Sequence, residues 1–96
     1  MKLEQVAMQL KILGNPIRLK VFRQLVRLGQ DGAPVGVIQA KLDIPLSTLS
    51  NHIQKLVVAG LAKQERKGVE LICTANFEAM QEMVDYLNKE CCIDAC

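Results

Sequence analysis

Apolar residues recur along this chain with two different periods, and the places where the period breaks divide it into elements. Leu3, Val6, Ala7, Leu10 and Leu13 fall on one helical line, which predicts a first helix from about Lys2 to Leu13, closed by Gly14. Asn15 followed by Pro16 restarts the chain as a helix, because Asn caps free amides and Pro is preset for the first helical position. The second helix carries Ile17, Val21, Leu25 and Leu28 on one line, Phe22 and Val26 beside it, and Arg18, Lys20, Arg23 and Arg27 outside, ending at Gly29. After a GQDGAP loop, Val35, Ile38 and Leu42 supply the packing side of a helix of about two turns. Asp43-Ile44-Pro45 breaks the chain before a longer helix from Leu46 to Ala59, whose stripe is Leu49, Ile53, Leu56 and Val57 and whose stop is Gly60. From Leu61 to Thr74 the period falls to two: Val69, Leu71 and Cys73 alternate with Glu70, Ile72 and Thr74, and Arg66-Lys67-Gly68 forms the tip of a hairpin. A last helix starts near Asn76, with Phe77, Met80, Val84 and Leu87 in line, Met83 beside them and Cys91 one further step along.

Two short helices joined by a tight turn, then a two-stranded hairpin, make a mainly α fold with a β-hairpin, a winged helix-turn-helix. The second helix of the pair turns Ser47, Thr48, Ser50, Asn51, Gln54 and Lys55 away from its apolar stripe. Amides and hydroxyls address base edges and phosphates, and this face has no carboxylate to repel a nucleic-acid backbone, so these six residues are the candidate DNA-reading set. The competing reading is an ordinary amphipathic helix with a polar outside. Arg66 and Lys67 on the hairpin are placed to meet phosphates or the adjacent minor groove, unless they form only a solvated hairpin end.

Composition narrows the setting. Ninety-six residues fit one domain, with residues 1–90 forming the body and 91–96 a cysteine-rich tail. At this size dimerisation helps to cover apolar surface. No run is long enough to span a membrane and the first ten residues lack a signal-peptide core, so a cytoplasmic protein is expected. The formal net charge of +2 hides a division: Met1 to Asn76 holds eleven Lys or Arg against five Asp or Glu, whereas Phe77 to Cys96 holds one against five. A basic body suits phosphate contact. Catalysis has no foothold, because His52, Asn51 and Ser50 are consecutive on a helix and point in different directions, so no nucleophile and base converge. Neither an enzyme nor a protein acting on a small organic substrate is expected.

The order of elements resembles the winged-helix repressors of the ArsR/SmtB family. The stretches that carry the resemblance are GNPIRLKVFRQL, STLSNHIQKLVVAGLAKQERKG and the cysteine-rich end, the most specific part being Ser50-Asn51-His52-Ile53 followed by Leu56 and Gly60-Leu61. The resemblance implies a homodimer formed by the first and last helices that binds a partly palindromic double-stranded operator and leaves it on a metal, metalloid or thiol signal. It places DNA reading on Ser47, Thr48, Ser50, Asn51 and Gln54 and puts His52 at the family's characteristic histidine, for which a helix-anchoring hydrogen bond is the favoured role over base reading.

The sensor site departs from the better-known patterns. The start of the third helix reads Val35-Gly36-Val37-Ile38, without a thiol, and the last helix offers Asp85 but no His. What remains is the CCIDAC end, with Cys91, Cys92 and Cys96. Trivalent arsenic and antimony take three thiolates, whereas zinc takes four ligands, so three clustered thiols without a nearby His favour As(III) or Sb(III) as inducer, with no cofactor required for DNA binding. On a continuing helix Cys92 and Cys96 share a face and Cys91 does not, so convergence of all three requires the helix end to unwind. The alternatives are a Cys92–Cys96 redox or polysulfide switch, a zinc, cadmium or lead site completed by Cys73 or a second subunit, and a tail without function.

Overall fold

The computed structural model describes residues 2–95. Helices α1 (Leu3–Leu13) and α2 (Pro16–Leu28) are followed by strand β1 (Ala33–Pro34), helices α3 (Val35–Leu42) and α4 (Leu46–Val58), strands β2 (Ala62–Lys67) and β3 (Glu70–Ala75), and helix α5 (Phe77–Asn88). Asn15 caps α2 by accepting from the Arg18 amide at 3.0 Å, and Asn76 caps α5 by accepting from the Ala79 amide at 3.1 Å. Both helix starts fall where the Asn residues place them. No helix among the described residues is long and apolar enough to cross a membrane.

The core forms where α2, α3 and α4 pack over the sheet. Val21, Leu25, Ile38, Leu49, Ile53, Leu56 and Leu61 are buried completely, and the sheet meets them with small side chains, Ala33, Ala62, Cys73 and Ala75. Small residues on the strands let the helices sit close, and each buried Leu or Ile contributes about 1.5–3 kcal/mol relative to an exposed one. Recognition-type spacing in α4 is thus set by the stripe that the period predicts.

The end of α4 is a Schellman turn. The Leu61 amide donates to the Leu56 carbonyl at 2.9 Å and the Gly60 amide to the Val57 carbonyl at 3.0 Å, with Gly60 at φ 79°. Leu56 and Leu61, both buried, make the apolar contact that accompanies this motif.

The sheet is antiparallel in the order β1-β3-β2. β1 is absent from the sequence reading because two residues are too few to show a period. It pairs Ala33 with Cys73 and Pro34 with Ile72, and Gly32 before it lies against the β3 backbone. The hairpin register sets Arg66 opposite Leu71 and Lys67 opposite Glu70, so the connecting residues are Gly68 and Val69 and not Arg66-Lys67-Gly68. Leu71 and Cys73 share a face of β3 that runs off the core toward the tip, with Cys73 buried and Leu71 exposed, whereas Val69 lies in the turn, 94% exposed, and does not continue the alternation.

Three expectations are corrected by packing. Arg18 is not on the outer side of α2; it is buried and its Nη1 donates to the Ile12 carbonyl at 2.9 Å, because its long side chain folds back over the α1–α2 turn. On α1 only Val6 and Gln9 are buried, while Leu3, Ala7 and Leu10 of the predicted stripe are exposed. Helix α5 stops at Asn88, with Glu90 at φ 60° and Cys92 at φ 69°, so Cys91 does not continue the apolar line.

Gly32 has φ 63° and a Cβ there would run into the Cys73 carbonyl oxygen, whereas a Cβ on Gly36 meets nothing within 4 Å. Gly32→Ala should therefore destabilise the fold by about 1–3 kcal/mol. Gly36→Ala, in helix α3, should leave stability unchanged or raise it by up to about 1 kcal/mol. Urea unfolding of both variants checks this pair; equal midpoints would contradict the described packing of β1.

Candidate nucleic-acid interface

Burying Leu49, Ile53 and Leu56 leaves the other side of α4 in solvent, and Ser47, Thr48, Ser50, Asn51, Gln54 and Lys55 are all exposed. At about 100° per residue, Ser47, Asn51 and Gln54 lie within roughly 60° of one another, with Thr48 and Lys55 on one flank and Ser50 on the other. Val58, 75% exposed, continues the Ser47-Asn51-Gln54 line. The sequence reading passed over it, although its i+4 spacing from Gln54 was the available signal. An apolar side chain at that point suits contact with a thymine methyl or a sugar.

The turn that presents this helix is Asp43-Ile44-Pro45. Asp43 takes the left-handed conformation at φ 53° and Ile44 packs against the core. Pro45, as N-cap, offers no side chain to the first turn of α4, which also contains no acidic residue. Its first amides are thus left facing outward with the positive end of the helix dipole, an arrangement that favours a phosphate.

Arg66 and Lys67 are exposed at the distal end of β2, beside the Gly68-Val69 loop. Across the strands Lys67 faces Glu70 and Arg66 faces Leu71. A second basic line, Lys20, Arg23 and Arg27, is exposed on α2 opposite its buried Val21-Leu25 side.

His52 lies on the flank of α4 between the reading face and the core and is half-buried. Its Nδ1 is buried without a protein hydrogen-bond partner, so the expected anchoring bond is not formed through that atom. Burial, then the positive charges of Arg18 and Lys55, lower its pKa from the ordinary 6.5.

The thiols occupy two environments. Cys73 is buried in β3, and burial raises its pKa, which makes it inert; the weak hydrogen bond it receives from Gln64 Nε2 at 3.6 Å works in the opposite direction and is the smaller effect. Cys91 and Cys92 are exposed on the turns that follow α5, with their sulfurs next to each other. Cys96, the third of the expected thiols and the partner of Cys92 in the redox alternative, lies outside the described residues. Among the described residues no group of three or more His, Cys, Asp or Glu side chains is placed to hold a metal ion.

The lowered pKa of His52 has a sign that can be checked. The unfolded chain takes up the proton first, so the contribution of neutral His52 is present above pH 6.5 and is lost as pH falls below it. The melting temperature of the wild-type protein should drop more between about pH 7.5 and 5.5 than that of His52→Gln. Parallel pH profiles in thermal melts would contradict the assignment.

Comparison with known proteins agrees with this geometry. A helix-turn-helix domain family model matches residues 13–65. The transcriptional repressor PagR of Bacillus anthracis is 31% identical over 88 residues, covering 92% of this chain and 86% of PagR. The crystal structure of PagR superposes with a TM-score of 0.73 at 30% identity, covering 90% of this chain and 95% of that one. The homodimeric winged helix-turn-helix DNA-binding domain of a possible ArsR-family regulator from Mycobacterium bovis gives 0.72 at 26% identity, covering 88% and 77%. An ArsR-like transcriptional regulator from Rhodococcus sp. RHA1 gives 0.78 at 16% identity, again covering 88% and 77%, a likeness of fold alone. With the helix-turn-helix, the wing and the match to PagR in place, the chain belongs to the helix-turn-helix domain family and has the winged helix-turn-helix fold of ArsR/SmtB-family proteins, which are transcriptional regulators and not enzymes.

Proposed function

We propose that the protein is a dimeric, cytoplasmic repressor that binds operator DNA and is released from it when As(III) or Sb(III) binds its C-terminal thiolates. The observation that carries the DNA reading is the α4 face: six exposed polar residues, no carboxylate, and a helix start with no side-chain cap. Ser47, Thr48, Ser50, Asn51, Gln54 and Lys55 address the major groove, and Arg66 and Lys67 address the backbone. Two copies suit a partly palindromic site, since a two-fold dimer presents one such helix to each of two successive grooves. Supporting the dimer, α1 and α5 leave Leu3, Leu10, Val84 and Leu87 exposed, Leu3 and Leu87 by 60% or more.

The body, residues 1–90, carries this interface and the tail, 91–96, carries the trigger. In the reduced chain Cys91, Cys92 and Cys96 supply three soft ligands, the number a trivalent metalloid takes. The tail already leaves helical geometry at Lys89, so convergence of the thiols does not require α5 to unwind further. The zinc, cadmium or lead alternative loses support at Cys73, which is buried in the sheet. The alternative thiol redox or sulfide sensor uses Cys92 and Cys96, and oxidised sulfurs are not thiolates, so oxidation and metalloid binding exclude one another on that pair.

Substitutions on the reading face and the wing should act differently. Asn51→Ala should relax sequence preference, costing about 1–3 kcal/mol on the preferred operator, whereas Lys67→Ala should weaken all duplexes alike and lower the salt slope by about one. Binding titrations on operator and random DNA across salt concentrations separate the two; equal effects on both DNAs would contradict this division.

For the trigger, arsenite or antimonite added to the reduced protein on operator DNA should release it. Replacement of Cys91, Cys92 or Cys96 by Ser should abolish or much weaken release while DNA binding survives, and Cys73→Ser should be silent. The redox reading instead requires Cys92 and Cys96, leaves Cys91 dispensable, and gives release by peroxide or polysulfide without any metalloid. A retained arsenite response in Cys96→Ser would defeat the three-thiolate assignment.

A further inference from the structure

Three consecutive carbonyls at the end of α4 are each held by another helix. Ala59 accepts from Gln9 Nε2 of α1 at 3.2 Å, Gly60 accepts from Asn76 Nδ2 at the start of α5 at 3.0 Å, and Leu61 accepts from the Asn76 amide at 2.9 Å. Gln9 is completely buried, on a helix that otherwise buries only Val6. Its Oε1 has no protein partner. A Met of similar length would fill the same space without desolvating an amide, so the polar group is maintained at a cost that its single hydrogen bond must justify by placement and not by stability. Arg18, the other buried polar residue among those described, also ties to α1, through the Ile12 carbonyl.

We propose that Gln9 is a positioning residue that fixes the end of the recognition helix to α1, with Asn76 making the matching tie to α5. The proposal rests on the reading above, in which α1 and α5 form the dimer face and α4 enters DNA. Under that reading the two clasps transmit the geometry of the dimer to the recognition helices: α1 and α5 set how the subunits meet, and Gln9 and Asn76 carry that setting to the helix end. Loosening a clasp leaves the fold, the dimer and the reading face intact but lets the two recognition helices vary in spacing and angle. Specific binding to a two-half-site operator then suffers, and binding that needs no fixed spacing does not.

The test uses Gln9→Met, which keeps volume and removes the donor, and Asn76→Asp, which keeps the N-cap acceptor and removes the Nδ2 donor to Gly60. Affinities are measured for an operator selected from random DNA by the wild-type protein, for one half-site, for random duplex, and for the operator lengthened by roughly 5 base pairs between half-sites. Sedimentation and thermal melting monitor dimer and fold. In either variant, affinity for the intact operator should fall about tenfold or more, while half-site and random-DNA affinities and the dimer constant stay within about twofold. The penalty for the lengthened operator should also shrink. Wild-type binding to the intact operator in both variants overturns the proposal, as does an equal loss on every DNA, which marks a purely structural role. Should Gln9→Met fail to fold, Asn76→Asp alone decides by the same criteria. If the wild-type protein itself binds the intact operator no better than a half-site, the dimeric reading fails and the proposal falls with it.

Discussion

A helix that ends inside a protein exposes carbonyls that need donors, and the end of α4 satisfies this requirement in a way that organises the whole chain. Gly60 turns the backbone into the left-handed region, which lets the Leu61 and Gly60 amides return to the Leu56 and Val57 carbonyls. The chain then leaves in the direction of β2, so the stop of the recognition helix is also the start of the wing. The carbonyls that the turn does not satisfy, at Ala59, Gly60 and Leu61, accept from Gln9 and Asn76. One short segment therefore fixes the helix, the hairpin and the two flanking helices against one another. The buried Leu56–Leu61 contact supplies apolar stabilisation at the same point.

The functional chemistry follows from what this arrangement leaves uncovered. Packing the Leu49-Ile53-Leu56 stripe inward turns a carboxylate-free polar face outward, and the hairpin that follows carries exposed Arg66 and Lys67 at its far end. The opposite end of the chain is acidic and carries exposed thiols, separated from the buried Cys73. In the proposed function, DNA reading and sensing thus occupy different parts of one small domain. Any coupling between them has to pass through α5 or the dimer contact, and Asn76, which caps α5 and also holds the Gly60 carbonyl, stands on that route.

Periodic features were legible in the sequence and single long-range contacts were not. The five helices and the hairpin follow from apolar spacing, Asn caps and Gly stops, and the six polar residues of α4 are exposed as their spacing implies. β1 was missed because two residues carry no period, and its place depends on the close approach of Gly32 to β3. Arg18 was put on the surface by charge alone, yet a carbonyl six residues earlier in the chain, at Ile12, draws it inward. Gln9 was invisible for the same reason: its partner is 50 residues away at Ala59, and no local pattern encodes that contact. The extended helical line through Cys91 failed because α5 ends at Asn88, where no Gly or Pro marks the stop.

The central claim is that α4 and the wing are the surface that meets DNA. Amide hydrogen exchange of the protein with and without its selected operator tests this directly, because a second basic line, Lys20, Arg23 and Arg27 on α2, offers a competing surface. The account predicts that DNA slows exchange in residues 46–54 and in the wing around residues 66–69, with α2 unchanged. Protection confined to α2, with α4 and the wing exchanging as in the free protein, would contradict it.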